Sequence, residues 1–326
     1  MKKILIVTDN LPDQVNGVVT TFTNIEKNLV LDGYSVLYLN PRQFKYFDCP
    51  GYSEVKLSLP WKIGQKIKEM DADHIHIATE GPIGLFARFY LNKHGIDYNT
   101  SYHTKFPEFL KKIYGIPEGI TYKYLRWFHK NSKQVLVPTE ELKKELEEKK
   151  FKNLKVWTRG VDTKIFNSKR RSLVPNGQNY IVCVSRVSKE KGLDDFCQLK
   201  GNKVLIGDGP YLNTLKEKYP NVIFLGVKKG VELAEWIANA DVFVFPSKTD
   251  TFGIVILESI ACGTPVASYI QPGPLEVIEP MYNGMYSDNL QHSVTACYQI
   301  NRNEVYKSSK KWTWENSTKQ FKEALA

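Results

Sequence analysis

Short apolar runs alternate with helix-period stretches along this chain, and the alternation runs through twice. In the first half Ile4–Val7, Ser35–Leu39, His74–Ile77 and Gln134–Val137 read as buried strands. Helical patterns lie between and after them, around Thr20–Val30, Lys62–Met70, Pro82–His94 and Glu140–Lys150. The series restarts with Tyr180–Ser185, Lys203–Ile206, Val222–Phe224, Asp241–Phe245 and Pro265–Tyr269. Strands separated by helices cannot pair as hairpins, so each series predicts a parallel sheet covered on both faces. A chain of 326 residues also exceeds what one core comfortably holds. The stretch Val156–Gln178, with Arg159, Gly160, Pro175 and Gly177 and little periodicity, is the expected hinge. The expected division is residues 1–158, 159–306 and a final helical stretch, 307–326. Trp312, Trp314 and Phe321 would anchor that stretch, packing it back on the first domain. In two doubly wound domains facing a central cleft, ligands collect at the carboxyl ends of the strands.

Composition narrows the function classes. Charged residues are 25% and hydrophobic residues 42%, which excludes a disordered or coiled-coil chain. The five cysteines form no Cys-x-x-Cys pair, so neither a disulfide framework nor a structural zinc site is expected. The six histidines are dispersed, and no metal or other cofactor is expected. The apolar run after Met1 is too short for a signal peptide, and no run approaches the ~18 residues of a membrane span. A cytoplasmic location, with peripheral contact at a membrane surface, is therefore the expectation. The net charge of +10 calls for an acidic partner. Residues 1–160 carry 25 basic and 18 acidic side chains, with the basic ones densest from Lys105 through Lys111, Lys112, Lys123, Arg126, Lys130 and Lys133. Nucleic acid, an anionic membrane and phosphate-bearing small molecules all fit that charge. No zinc-finger or RNP signature points to nucleic acid, which is not expected as a partner.

The segment Phe245–Ser268 carries the most chemistry. A strand ends at Phe245, and a helix is expected to begin near Thr251 or Phe252 and to close at Gly263. Its apolar residues lie almost all round, so it is buried, and a buried helix makes Glu258 conspicuous. Asp250 stands at its mouth, and Gly253 lets another molecule approach the backbone. Bare amides at Gly253 and Ile254, with the positive end of the helix dipole, make an anion site. A nucleotide diphosphate fits there, with Glu258 accepting from ribose hydroxyls and Asp250 from an attached sugar.

Acid, seven residues, acid, with Phe252-Gly253 after the first acid and Cys262-Gly263-Thr264-Pro265-Val266 after the second, resembles the signature of retaining GT-B glycosyltransferases of family 4. The likeness is strongest to bacterial GDP-mannose-dependent mannosyltransferases and the sulfoquinovosyltransferase-like branch. It implies an α/β fold of two Rossmann-like doubly wound lobes. The family usually has Glu where this chain has Asp250, and the shorter side chain changes its reach. Arg186 to Gly192 resembles the family's Arg and Lys pair on the donor pyrophosphate, which implies that role for Arg186 and Lys191. Asn16-Gly17-Val18-Val19-Thr20 is similar to the glycine loop over the diphosphate and acceptor side. Ser101 to Pro107 resembles the loop whose histidine, here His103, faces the transferred sugar; His76 and Glu80-Gly81-Pro82 also match, His76 as a core residue. Gly207-Asp208-Gly209-Pro210 fails as a dinucleotide fingerprint, because Leu212 replaces the third glycine, and matches the family's structural turn. Phe224 to Val227 resembles the segment lining the nucleobase, and Trp157 to Asp162 the interdomain connector.

The resemblance implies retaining, metal-independent transfer of a hexose from GDP-mannose or UDP-glucose to a glycan or lipid acceptor. In this reading Arg186, Lys191, Asp250 and His103 are catalytic, and Gly17, Val227, Phe252, Gly253, Ile254 and Glu258 bind the donor. A nucleotide-sugar epimerase of the same two-lobe fold and a basic nucleic-acid- or lipid-binding module remain alternatives.

Overall fold

A computed structural model describes residues 1–14, 16–49, 52–171 and 179–325. The chain forms two compact units, residues 1–159 with 314–326, and residues 160–313. The first runs β1 (Lys3–Val7), α1 (Gly17–Leu31), β2 (Ser35–Leu39), β3 (Lys45–Cys49), β4 (Tyr52–Leu59), α2 (Ile63–Met70), β5 (His74–Ile77) and α3 (Pro82–His94). It continues with β6 (Asn99–Ser101), α4 (Phe106–Tyr114), α5 (Glu118–His129), β7 (Val135–Val137), α6 (Glu140–Glu148) and β8 (Leu154–Val156). The second holds β9 (Ile181–Val184), α7 (Leu193–Cys197), β10 (Lys203–Ile206), α8 (Leu212–Lys218), β11 (Ile223–Phe224), α9 (Gly230–Asn239) and β12 (Val242–Phe245). Then come α10 (Ile254–Ala261), β13 (Val266–Ser268), α11 (Pro272–Val277), β14 (Gly284–Tyr286), α12 (Leu290–Cys297) and α13 (Arg302–Ser308); α14 (Trp314–Lys322) returns to the first unit.

Each unit is built on a six-stranded parallel sheet, ordered β2-β1-β5-β6-β7-β8 in the first and β11-β10-β9-β12-β13-β14 in the second. A separate antiparallel hairpin, β3–β4, belongs to the first unit. In both sheets the earliest strand lies inside and the chain winds outward from it on either side. The topological switch point therefore falls between β1 and β5 in one sheet and between β9 and β12 in the other. Loops leaving the carboxyl ends of those neighbours must converge. Central strands such as β12 are buried on both faces, which is why they read as unbroken apolar runs.

The helix expected near Thr251 starts later, at Ile254. Gly253 takes φ +84°, a left-handed conformation that a helix interior does not admit. The continuous terminal helix expected from 307 is also broken, into α13, a 3-10 turn at Ser309–Lys311, and α14. The Trp312 carbonyl accepts from the Val161 amide and its ring packs against Phe252, so the chain through Thr313 stays with the second unit. α14 then packs in the first unit. Trp157 Nε1 donates to the Ser317 carbonyl at 3.0 Å, Thr158 donates its amide to Gln320 at 2.9 Å, and Phe321 is buried against Trp157, His76 and Phe22. Of the expected hinge, Pro175 and Gly177 lie outside the described residues. The described part is tied down on both sides, Trp157 in the core of the first unit and Phe166 in that of the second. Among the described residues no helix is long and apolar enough to cross a membrane.

Candidate functional site

In the second unit, the loops after β9 and β12 meet at the switch point. The loop after β9 is held from behind by the Gly207–Pro210 turn: Val187 donates its amide to the Asp208 carbonyl at 2.8 Å, and Tyr211 donates to the Val187 carbonyl at 3.0 Å. A Cβ on Gly207 would collide with the Ser185 carbonyl, so the turn can lie this close only as glycine. The Arg186 guanidinium bonds the Glu190 carboxylate, and the Ser188 hydroxyl donates to the same carboxylate at 2.6 Å. Burial opposes a charge on Glu190, but Ser188, its own backbone amide and Arg186 outweigh it and hold the carboxyl below its usual range.

Lys191 reaches across to the second loop, its ammonium 2.5 Å from Asp250 Oδ1. Burial of Asp250 is outweighed by the Lys191 charge and hydrogen bond, the Ser247 hydroxyl and the Arg186 charge, so it too titrates below the usual 3.8. An ammonium carries three donors, and Asp250 takes one of them.

Three residues after Asp250, α10 begins. No side chain caps it, and its first turn is closed by the Ile256 amide on the Gly253 carbonyl at 2.9 Å. Unbonded amides and the dipole's positive end stand at this tip. Glu258 lies one turn on, on the same face as Ile254. Its carboxylate has no hydrogen-bond or ionic partner among the described residues, and burial raises it to about 7.

In the first unit the corresponding loops follow β1 and β5. Asp9 accepts from Thr79 Oγ1 at 2.7 Å and from the amide of Ile83 at 2.8 Å, so it caps α3; burial raises it to about 6 despite those bonds. Gly17 opens α1 rather than a free loop: Asn16 Oδ1 accepts from the amides of Val18 and Val19. His103 follows β6 beside the Phe22 ring of α1. Arg159, buried and stacked on Trp157, donates to His103 Nδ1 at 3.1 Å. A guanidinium only donates, so Nδ1 accepts and the ring proton sits on Nε2. Burial, then the charge of Arg159 and His76, pushes His103 well below its usual range and keeps it neutral. His76 is a core residue, its Nε2 2.6 Å from Ser101 Oγ, and burial lowers it to about 3.

The family models described as Glycosyltransferase Family 4 and Glycosyl transferases group 1 match residues 15–165 and 164–296. The chain is a GT-B glycosyltransferase. It is 28% identical over 316 residues to a GDP-mannose-dependent alpha-mannosyltransferase of Corynebacterium glutamicum, covering 88% of this chain and 76% of that one. To an alpha-monoglucosyldiacylglycerol synthase of Streptococcus pneumoniae it is 26% identical, covering 87% and 75%. Its fold matches the structure of a sucrose-phosphate synthase from Thermosynechococcus elongatus with a TM-score of 0.79 at 16% identity, covering 99% and 98% of the two chains. These matches do not favour the epimerase or the binding-module reading.

Within the transferase, Arg186, Lys191 and Asp250 come together at the carboxyl ends of β9 and β12, with Gly253 and Ile254 at the start of α10 and Glu258 one turn along it. Val227 follows β11, two strands away in the same sheet, and is 51% exposed. Phe252 turns its ring into the core against Trp312, leaving only its backbone for a ligand. Gly17 and His103 belong to the first unit. Sequence reasoning missed four supporting residues: Glu190 and Ser188 behind Arg186, Ser247 behind Asp250, and Arg159 behind His103. The i, i+4 spacing of Arg186 and Glu190 is a usable signal. Nothing in sequence spacing connects Arg159 to His103, 56 positions away.

Proposed function

We propose that the transferase moves mannose from GDP-mannose to a hydroxyl of a glycan or lipid-linked acceptor, with retention of anomeric configuration and no metal. The observation that carries the reading is the pair of cations, Arg186 and Lys191, beside the uncapped tip of α10. A leaving diphosphate gains charge as the glycosidic bond breaks, and donors already aimed at it stabilise the transition state without reorganising. In the proposed step the bond from the anomeric carbon to the phosphate oxygen breaks. The acceptor oxygen then bonds the same face of that carbon, and its proton passes to the departing phosphate. Two carboxylates across a bond, as in hydrolases, do not suit Asp250 and Glu258, which belong to the mouth and flank of one helix. Glu258, with no donor among the described residues, is suited to ribose hydroxyls. His103, neutral and carrying its proton on Nε2, is suited to donate to a sugar oxygen. The name of the C. glutamicum relative supports GDP-mannose, and that of the S. pneumoniae relative supports a lipid acceptor.

The test is to supply GDP-mannose and UDP-glucose with glycan and diacylglycerol acceptors, and to read the product's anomeric configuration by NMR. An α-mannoside formed in the presence of a chelator is the expected result. An inverted product, or turnover that needs a divalent ion, would overturn the mechanism proposed.

A further inference from the structure

Two helices of the first unit carry large apolar side chains on their outer faces. On α3, Phe86 and Phe89 are 48% and 50% exposed; on α5, Ile120 and Trp127 are 64% and 40% exposed. The rings of Phe86 and Phe89 lie 6.4 Å apart and those of Phe89 and Trp127 5.6 Å apart, so the aromatic strip is continuous across both helices. Arg88 locks the pair together. It is buried, donates to the carbonyls of Phe128 and Trp127 at 2.6 and 2.7 Å, and stacks 3.9 Å above the Trp127 ring.

Charge on and around these two helices is unevenly distributed. Lys105, Lys111 and Lys133 are neutralised by Glu145, Glu118 and Asp97. Lys93, Lys123 and Lys130 are exposed and have no carboxylate partner among the described residues. Both arginines of these two helices are turned inward onto backbone carbonyls, Arg88 as above and Arg126 onto Lys149. What remains outside is lysine, a point charge suited to a diffuse layer of phosphates rather than to forked recognition of one phosphate or base. Aromatic rings with flanking lysines are the composition that settles at a headgroup layer, rings at the boundary and ammonium groups on lipid phosphate.

We propose that this α3–α5 face docks the transferase on an anionic bilayer. The inference rests on the lipid-acceptor reading and adds the surface that would bring the enzyme to such an acceptor. The test is co-sedimentation of the full chain with vesicles of phosphatidylcholine alone and of phosphatidylcholine mixed with phosphatidylglycerol. Wild type partitions onto the mixed vesicles. Phe86→Glu with Phe89→Glu, and separately Lys123→Glu with Lys130→Glu, each lower that partition by about tenfold or more, while Lys111→Glu changes it little. The lysine pair is exposed, so a folding defect in the phenylalanine pair does not blunt the test. Undiminished partition in the lysine pair overturns the proposal. So does a loss explained by dissociation of a dimer in sedimentation velocity, or binding to duplex DNA in place of vesicles. Donor binding, read as a thermal shift with GDP-mannose, is unchanged in every variant. If that shift is absent in wild type while vesicle binding persists, the GDP-mannose reading fails and the docking surface stands.

Discussion

Arg186 and Lys191 each sit against an acid, and the two acids do different work. Glu190 is buried, shares its charge with Ser188, and fixes the guanidinium from behind. Asp250 occupies one donor of an ammonium that has two more. Arg186→Ala should lower turnover on the order of 100-fold or more, because a charge aimed at the leaving group is lost. Glu190→Gln should lower it less, since the guanidinium remains but is less firmly oriented; steady-state kinetics of both variants decide this. Glu258 gives a pH signature. Burial raises it to about 7, so the ligand-free protein at pH 6 holds it mostly protonated. In that state it adds stability at acid pH that is lost as pH rises through 7. Ribose hydroxyls donate to the ionised form, so binding expels a proton. Affinity for GDP-mannose should climb by up to roughly tenfold per pH unit below 7 and level off above it. Glu258→Gln should flatten the profile in calorimetric titrations, and a flat wild-type profile would remove Glu258 from the ribose. This residue is legible in the sequence because an acid inside an all-round apolar helix has few benign explanations. Arg159 is not, since a basic residue in a connector gives no hint that it sets a histidine's tautomer.

At the scale of elements, α10 depends on the residue before it. Gly253 combines a left-handed φ with a Cβ position 2.7 Å from the Phe245 ring. Gly253→Ala should destabilise the protein by about 1–3 kcal/mol and weaken donor binding, as the helix tip shifts. Denaturant unfolding and the GDP-mannose thermal shift measure the two effects separately. Strands with apolar side chains on both faces, such as β1, β10 and β12, are plain in the sequence. β6 is not, although it lies in the middle of its sheet. Its residues are Asn99, Thr100 and Ser101, fully buried, and each is satisfied by a side-chain bond: Asn99 accepts from the Gln134 amide, Thr100 pairs with Ser132 and His129, and Ser101 with His76. Hydropathy cannot find a strand whose burial is made possible by partners distant in sequence. The β3–β4 hairpin escapes for the opposite reason, since most of β3 is exposed and carries no buried stripe.

For the whole molecule, the doubled alternation is enough to read two parallel sheets, but not the bookkeeping of the carboxyl-terminal residues between them. That depends on Trp312 staying with Phe252 while Phe321 enters the other core. Phe321 is fully buried, so Phe321→Ala should cost about 3–5 kcal/mol, confined to the first unit. Hydrogen exchange should show protection lost in β1, β5 and α1 and kept in β9 and β12; uniform loss would contradict the division. The central claim is that the loops after β9 and β12 hold a nucleotide diphosphate. A crystal structure with GDP bound tests it most directly. Phosphate oxygens are expected within hydrogen-bond distance of Arg186, Lys191 and the first amides of α10, with the ribose on Glu258. GDP seated instead in the roughly 130 Å³ cavity of the first unit lined by Asn10, Val19, Glu26 and Tyr38 would contradict it.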